Sequence, residues 1–180
     1  PTMSISCSQG ESGFYGNDAF YTFTFVSSES TTDFNTGDIR VEGGNITDFS
    51  GSGTTYTATF SPNSDGLKNV HVNNGWYHDA AGNSNEPSNT FTWTHDTTVP
   101  TVAISCSTIE ENETTNLDAQ TFFFTWSEAD TDFQQHDLSV VNGAISDFTQ
   151  INDLGYGLVT NNGAFSEMVS MFTYYTHAAY

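Results

Sequence analysis

Basic residues are almost absent from this sequence of 180 residues. One lysine, Lys68, and one arginine, Arg40, stand against 22 acidic residues, so the formal net charge is −20. A chain with this charge repels nucleic acid and anionic membranes, and both are therefore excluded as partners. It attracts divalent cations, although the simplest interpretation of so many carboxylates is a solvated surface that keeps the protein soluble.

Long apolar segments, helical patterns and catalytic motifs are also missing from the sequence. No segment approaches the roughly 18 consecutive apolar residues of a membrane span, so we predict no membrane insertion. No window combines apolar residues at helical spacing with helix-forming residues. There is no Gly-x-Ser-x-Gly or His-Glu-x-x-His motif, no phosphate-binding glycine loop, no zinc-type spacing and no EF-hand loop. We therefore predict that the protein is not an enzyme.

Threonine, serine, asparagine, glycine and aromatic residues are abundant instead, including 15 phenylalanines and 8 tyrosines. Threonine and aromatic residues favour strands, and glycine and asparagine favour the turns between them. In the first half of the chain, apolar and polar residues alternate in short stretches, which is typical of strands with one buried face. These stretches lie at residues 3–7, 21–25, 39–41, 46–49, 56–60, 70–72 and 91–93. The pattern predicts an all-β fold.

The chain also contains an internal duplication. Residues 1–8 read PTMSISCS and residues 100–107 read PTVAISCS, which sets an offset of 99 residues. The same offset relates Phe23 and Phe25 to Phe122 and Phe124, DIRV at 38–41 to DLSV at 137–140, and ITDF at 46–49 to ISDF at 145–148. A repeat of about 100 residues is too long for a solenoid unit and has the size of an Ig-like β-sandwich.

Several motifs of the first copy resemble those of the bacterial-type Ig-like repeats found in large surface, adhesin and biofilm matrix proteins. They are SE at 28–29, DF at 33–34, DIRV at 38–41, YTATFSP at 56–62, DAAGN at 79–83 and DTTVPT at 96–101. We place two tandem Ig-like β-sandwich domains at residues 1–94 and 100–180, with a linker at 95–99. The resemblance implies an extracellular or cell-surface location. It also implies modules strung in series, often stiffened by calcium, that act as spacers, fibres or adhesive arrays.

The second copy follows the first as far as Phe148 and then departs from it. The first copy ends with a strand at residues 89–94, and the counterpart of this strand would lie beyond Tyr180. We therefore expect the second domain to lack its last strand within this chain. Three explanations stay open: the native chain continues into further repeats, the remaining residues are disordered, or a neighbouring copy donates the strand and builds a head-to-tail polymer. The start at Pro1, without an initiator methionine or a signal peptide, indicates a processed chain or part of a longer one.

Acidic and amide side chains at turns and in the linker are the candidate metal ligands. Asp79 and Asn83 bracket a glycine-containing turn, and Asp96 lies in the linker. Calcium prefers oxygen ligands of these kinds, so calcium is the predicted cofactor of these three residues. Asp33 and Asp38 flank a further turn. The alternative for all five residues is a hydrogen bond within the turn itself.

Two cysteines and two sequons are the remaining candidate sites. Cys7 and Cys106 occupy equivalent positions in the two copies and alternate with apolar residues, so we expect buried free thiols. A disulfide between them is not expected, because equivalent points of serial domains lie too far apart. Asn45 and Asn112 each begin an Asn-x-Thr sequon and are glycosylation candidates if the protein is secreted by a eukaryote.

These features predict a structural repeat module of an extracellular filament or cell-surface array. Its expected partners are other copies of itself, placed head to tail, with glycans as a second class. The alternative function is an adhesin segment that binds carbohydrate or another cell surface through its loops. Exposed aromatic residues clustered at one tip, such as Phe14 and Tyr15 near Trp76 and Tyr77, would favour the adhesin.

Overall fold

The structure is a computed structural model that describes residues 1–111, 117–129, 132–141, 143–152 and 155–161. The chain divides into two compact units, Pro1–Thr98 and Val99–Tyr180. Every regular element of the described residues is a strand or a short 3₁₀ turn, which confirms the predicted all-β fold. Within these residues, no helix is long and apolar enough to cross a membrane.

The first unit is built from two sheets. One sheet has the order β1-β3-β5 and is antiparallel throughout, whereas the other has the order β2-β7-β6-β4 and contains one parallel pair, β2 with β7. Each alternating stretch of the sequence overlaps one of these strands. The strands are β1 (Met3–Cys7), β2 (Tyr15–Gly16), β3 (Tyr21–Thr31), β4 (Arg40–Glu42), β5 (Gly44–Pro62), β6 (Gly66–His71) and β7 (Phe91–His95), with a 3₁₀ turn at Thr36–Asp38.

Strand β5 is a long span of 19 residues that folds back on itself. At one end the Asn63 amide donates to the Gly43 carbonyl (3.1 Å). At the other end Gly51 lies against the backbone of Thr55 and Tyr56. The stretches at 46–49 and 56–60 are therefore two arms of one hairpin. With β1 and β2 in different sheets, the result is the two-sheet arrangement of an Ig-like domain.

The core of the first unit is predominantly aromatic, because the alternating stretches direct every second side chain inward. Trp93 on β7 is fully buried, and its ring centroid lies 4.8 Å from that of Phe60 and 5.2 Å from those of Tyr21 and Phe23. Tilted and edge-on contacts of this kind stabilise aromatic cores beyond the burial of apolar area. The other buried apolar residues are Met3, Ile5, Phe25, Phe34, Ile39, Tyr56, Ala58, Val70, Val72, Tyr77 and Phe91.

The described part of the second unit repeats the first sheet. Its sheet has the order β10-β11-β9-β8, and its core contains Phe122, Phe124, Trp126, Phe133 and Leu138. Its elements are β8 (Val102–Cys106), β9 (Ala119–Trp126), a 3₁₀ turn (Gln135–Asp137), β10 (Ala144–Asn152) and β11 (Gly155–Asn161). One sheet of the predicted second sandwich is therefore present in the described residues. The predicted absence of a last strand concerns positions outside the described residues and stays a prediction.

An unusual backbone conformation also repeats at the expected offset. Asp48 and Asp147 are the non-glycine residues with positive φ among the described residues, at 51° and 52°. Asp147 lies at a register shift between β10 and β11, so the conformation marks a β-bulge there. Aspartate tolerates this region better than most residues. The duplication is therefore visible in backbone detail as well as in the sequence.

Candidate functional site

The predicted calcium ligands Asp79 and Asn83 do meet, but they meet as hydrogen-bond partners. Asp79 Oδ1 accepts from the amides of Ala81 (2.9 Å) and Asn83 (2.8 Å), and its Oδ2 accepts from Asn83 Nδ2 (2.8 Å). The hydrogen bond from the Asn83 side chain, followed by that from its amide, lowers the pKa of Asp79. Both carboxylate oxygens therefore hold the turn together, which is the alternative that the sequence left open.

Asp96 is not brought to this turn. It follows β7, and its amide donates to the Gly16 carbonyl (3.0 Å) beside the start of β3. Asp79 instead pairs with Thr31, the last residue of β3. The length of β3, roughly 30 Å, therefore separates the predicted ligands. Within the residues that the structure describes, no group of three or more His, Cys, Asp or Glu side chains is placed to hold a metal ion.

Asp33 forms a second turn network, with His78 as its main partner. Its Oδ1 accepts from Thr31 Oγ1 (2.7 Å) and from the His78 amide (3.0 Å), and its Oδ2 lies 3.0 Å from His78 Nδ1. Burial raises the pKa of this carboxyl, but the hydrogen bonds from His78 and Thr31 outweigh burial, and the net shift is downward. The nearby Asp38 accepts from the Asn35 amide (2.8 Å), and burial raises its pKa.

Replacing Asp33 with asparagine is expected to weaken the first unit only where the carboxylate is ionised. Because the folded-state pKa is depressed, this stabilisation is fully present above the ordinary value of 3.8 and is lost as the pH falls through the lower folded value. Nearly half of the side chain is exposed, so the loss at neutral pH should not exceed about 1 kcal/mol. Urea unfolding at neutral and acidic pH measures it, with the exposed Asp18→Asn as control. A D33N deficit that persists undiminished in acid would contradict the ionic origin.

The two cysteines are free and lie at the edges of their cores. Each is partly buried, which differs from the expected full burial because the thiols lie at the ends of β1 and β8. Cys7 Sγ contacts Gln9 Oε1 (3.2 Å), and Cys106 Sγ contacts Thr108 Oγ1 (3.2 Å). Burial raises the pKa of the Cys7 thiol, which lowers its fraction of reactive thiolate.

The aromatic cluster that would favour an adhesin does not form at one tip. Phe14 stacks on Trp93 with a centroid distance of 6.4 Å, and Tyr77 is fully buried. The side chain of Tyr15 is exposed beside the end of β7, whereas Trp76 lies next to Tyr77 near the opposite end of β3. The pattern in the sequence therefore mixed core residues with separate surface residues.

Of the two glycosylation candidates, Asn45 is exposed on β5, where an attached sugar would meet no steric obstacle from burial. Asn112 lies outside the described residues. Their glycosylation stays a prediction that depends on the secretory machinery of the source organism.

Another polar network of the first unit lies where the chain leaves it. Asp65, in the turn between β5 and β6, accepts hydrogen bonds from the Thr97 amide (3.1 Å), Thr97 Oγ1 (2.8 Å) and Thr98 Oγ1 (3.2 Å). The Thr98 amide in turn donates to Asp96 Oδ1 (3.0 Å). The side-chain bond from Thr97 is the main cause of a lowered pKa of Asp65. We call the contacts of Asp65 with Thr97 and Thr98 the linker clamp.

Two buried polar residues lie next to Asp65 of the linker clamp. His95, which the sequence placed in the linker, is the last residue of β7 and is 7% exposed. Its Nδ1 is hydrogen-bonded to the Tyr21 hydroxyl (3.0 Å), and its Nε2 lies 4.0 Å from Asp65 Oδ1. Lys68 is 2% exposed and donates to the Asp65 carbonyl (3.2 Å). Burial raises the pKa of Tyr21, so its hydroxyl stays protonated at neutral pH.

Sequence reasoning missed Asp65 as a functional residue. Its position in a Pro-Asn-Ser-Asp-Gly turn indicated only a turn, and its partner Thr97 is 32 residues away. No local pattern connects two such positions. The one usable signal was the pair of threonines that begins two residues after the last strand, because their hydroxyl groups can donate to a nearby carboxylate.

Removing the Asp65 carboxylate is expected to free the first linker residues. In Asp65→Ala, the Thr97 amide loses its acceptor, so its hydrogen exchange should rise toward that of an exposed loop. Amide exchange measured by NMR on the full chain tests this, with the exposed Asp18→Asn as a control that removes the same charge. Unchanged protection of Thr97 in D65A would show that the linker clamp does not order the linker.

Comparison with known families assigns both units to the same family. The family model described as the bacterial Ig-like domain matches residues 1–94 and again residues 96–161. These two matches cover most of the chain and agree with the duplication and with the repeated sheet. Comparison with curated proteins gave no significant match. The chain therefore belongs to the bacterial Ig-like domain family.

Proposed function

We propose that this chain is a structural repeat module of an extracellular filament or cell-surface array, with its domains displayed in series. The observation that carries the proposal is the placement of the chain ends in the first unit. Thr2 exchanges backbone and side-chain hydrogen bonds with Ser28, whereas His95 contacts Tyr21. Along β3 these two points are roughly 20 Å apart. A chain that enters at one end of a sandwich and leaves at the other adds length with every copy.

The surface and the linker support the same function. Twenty-two acidic residues against two basic ones keep a crowded array soluble by mutual repulsion. The linker clamp holds residues 97 and 98 against the first unit, so that less of the connection is free to bend. A family typical of structural and adhesive modules, together with the lack of a catalytic motif, supports a role other than catalysis.

Other copies of the chain are the proposed partners, and calcium is the proposed ligand. Head-to-tail association is supported by the placement of the chain ends at opposite ends of the first unit. Calcium is supported by the carboxylate-rich composition, since carboxylates are its preferred ligands. Neither proposal requires a deep binding pocket, which fits a sandwich whose interior is filled by aromatic side chains.

Electron microscopy of the native material tests the proposed function. We expect extended filaments or surface fibres with a repeat equal to one or two domains, and chelation of calcium should make them more flexible. Light scattering of the purified chain over a range of concentrations provides the companion measurement of self-association. Compact globular particles in native material would overturn the proposed function, and a strictly monomeric chain at all concentrations would overturn head-to-tail association.

A further inference from the structure

The two sheets of the first unit have four edges, and three of these are poorly suited to pairing with a further strand. On β1, Asn89 Oδ1 accepts from the Ile5 amide (2.8 Å) and Asn89 Nδ2 donates to the Ile5 carbonyl (3.0 Å), so this edge is already occupied. The outer arm of β5 is interrupted by Asp48 at φ of 51°, and β2 has only two residues. The remaining edge is that of β4 (Arg40–Glu42), which pairs with β6 alone among the described strands. We call it the β4 edge.

The β4 edge carries the one arginine of the chain. Lys68, the one lysine, is buried, whereas Arg40 is exposed and forms no ion pair with another described residue. Glu42 is exposed two residues further along, and its Oε2 accepts from Asn69 Nδ2 (2.6 Å). Between them, Val41 packs against the core. The edge therefore displays one positive and one negative side chain on the outer face of its sheet.

The order of these charges makes the β4 edge complementary to the same edge of a second copy. When two β4 strands pair antiparallel about Val41, Arg40 of each copy faces Glu42 of the other, as a two-fold axis requires. Opposite charges at directly facing positions stabilise a strand pair, and like charges destabilise it. A parallel pair in register would instead place the two arginines opposite each other. Charge complementarity therefore selects a second copy of the chain, in the antiparallel orientation, as the partner of this edge.

The second unit of the chain does not carry the two charges. At the offset of 99 residues, Arg40 corresponds to Ser139 and Glu42 corresponds to Val141. If a first unit paired with a second unit at these positions, both charges would face uncharged side chains. Pairing between two first units is therefore favoured over the other combinations, because it alone gives each charge an opposite partner.

We propose that the first units of two chains associate side by side through their β4 edges, antiparallel and about a two-fold axis at Val41. This goes beyond the proposed function, which concerns association in series. The contact is short, because the Ile39 amide already donates to the Thr36 carbonyl (3.3 Å) and the Gly43 carbonyl already accepts from the Asn63 amide (3.1 Å). It is therefore weak between isolated chains. In an array, many such contacts act together and strengthen one another.

Sedimentation equilibrium of the full chain, up to millimolar concentration, tests the proposal. At an ionic strength of about 0.15 M the Debye length is about 8 Å, so repulsion between distant charges is screened. Arg40→Glu sets carboxylates against carboxylates at both facing positions, and Glu42→Arg sets guanidinium groups against each other. We expect each single variant to associate at least about tenfold more weakly than the wild type. The double variant R40E/E42R restores opposite charges in exchanged positions and should associate as the wild type does.

Two controls separate the pairing of charges from the overall charge. The double variant has the same net charge as the wild type, so its recovery does not come from a change in net charge. Glu11→Arg changes the net charge as E42R does, but Glu11 is exposed near β2, at the opposite edge of the sheet. This variant should associate at least as strongly as the wild type.

The comparison of single and double variants decides the outcome. Single variants that associate like the wild type would overturn the proposal, and so would a double variant that fails to recover or a wild-type chain that stays monomeric throughout. Head-to-tail association does not involve the β4 edge and should persist in every variant. Failure of the side-by-side contact therefore leaves filaments in electron micrographs, whereas failure of the proposed function leaves the difference between single and double variants unchanged.

Discussion

Replacing Trp93 with alanine is expected to remove about 3–5 kcal/mol from the free energy of unfolding of the first unit. The indole is fully buried and contacts three rings of the facing sheet, with centroid distances of 4.8 Å to Phe60 and 5.2 Å to Tyr21 and Phe23. Its removal therefore leaves a cavity between the sheets that the surrounding side chains cannot fill. Since natural domains are stable by only about 5–15 kcal/mol, the variant should lie close to unfolding.

Urea unfolding of the full chain, followed by circular dichroism, measures the loss. Leu67→Ala is the matched control, because Leu67 lies on the neighbouring strand β6 but is 69% exposed. We expect this control to change the free energy of unfolding by no more than about 0.5 kcal/mol. A loss in W93A as small as that of L67A would mean that the core around Trp93 is loosely packed, contrary to the structure.

Gly51→Ala is expected to produce the second large effect, by preventing β5 from folding back on itself. Gly51 has φ of 130°, and a Cβ at this position would overlap the Thr55 carbonyl oxygen and approach Tyr56 Cα to 2.6 Å. The neighbouring atoms belong to the backbone of the facing arm and cannot move independently of it. We expect a loss of about 3 kcal/mol or more, of which the strained backbone angle alone accounts for about 1–3 kcal/mol.

A second glycine separates backbone strain from steric overlap. Gly82 also has positive φ, at 85°, but a Cβ added there would meet no atom within 4 Å. Gly82→Ala should therefore show the conformational cost alone, about 1 kcal/mol. The difference between the two variants in thermal or urea unfolding reports the overlap at Gly51. Equal losses for the two variants would show that the hairpin adjusts to the added methyl group.

The buried position of Trp93, on which the first prediction depends, could be predicted from the sequence. The burial of Trp93 followed from its alternation with Phe91 in a strand pattern, and the structure confirms it. Phe14 and Tyr77 were named as members of an exposed aromatic cluster that would favour an adhesin, but Tyr77 is buried in the core and Phe14 packs against it. Alternation is a local property and works within a strand, but Phe14 and Tyr77 lie in loops, where the chain path alone decides which side chains point inward.

The predicted calcium site could likewise be predicted only in part from the sequence. Sequence reasoning identified Asp79 and Asn83 as residues that belong together, because they bracket one turn, and the structure joins them directly. It grouped Asp96 with them as a third calcium ligand, but the structure places Asp96 near the other end of β3. Residue type and turn position identify a polar group that needs partners. They do not state whether the partner is a metal ion or a neighbouring N–H group.

The sequence by itself determined the duplication, the all-β class, the seven alternating stretches of the first copy and the family. Each of these rests on patterns that repeat along the chain and need no knowledge of its path. Only the tertiary structure decided that Asp65 holds Thr97, that Asn89 binds Ile5 and that Lys68 is buried. Asp65 and Asn89 reach partners 32 and 84 residues away. Such contacts depend on which strands become neighbours in the sheets, and packing of the whole sandwich determines that.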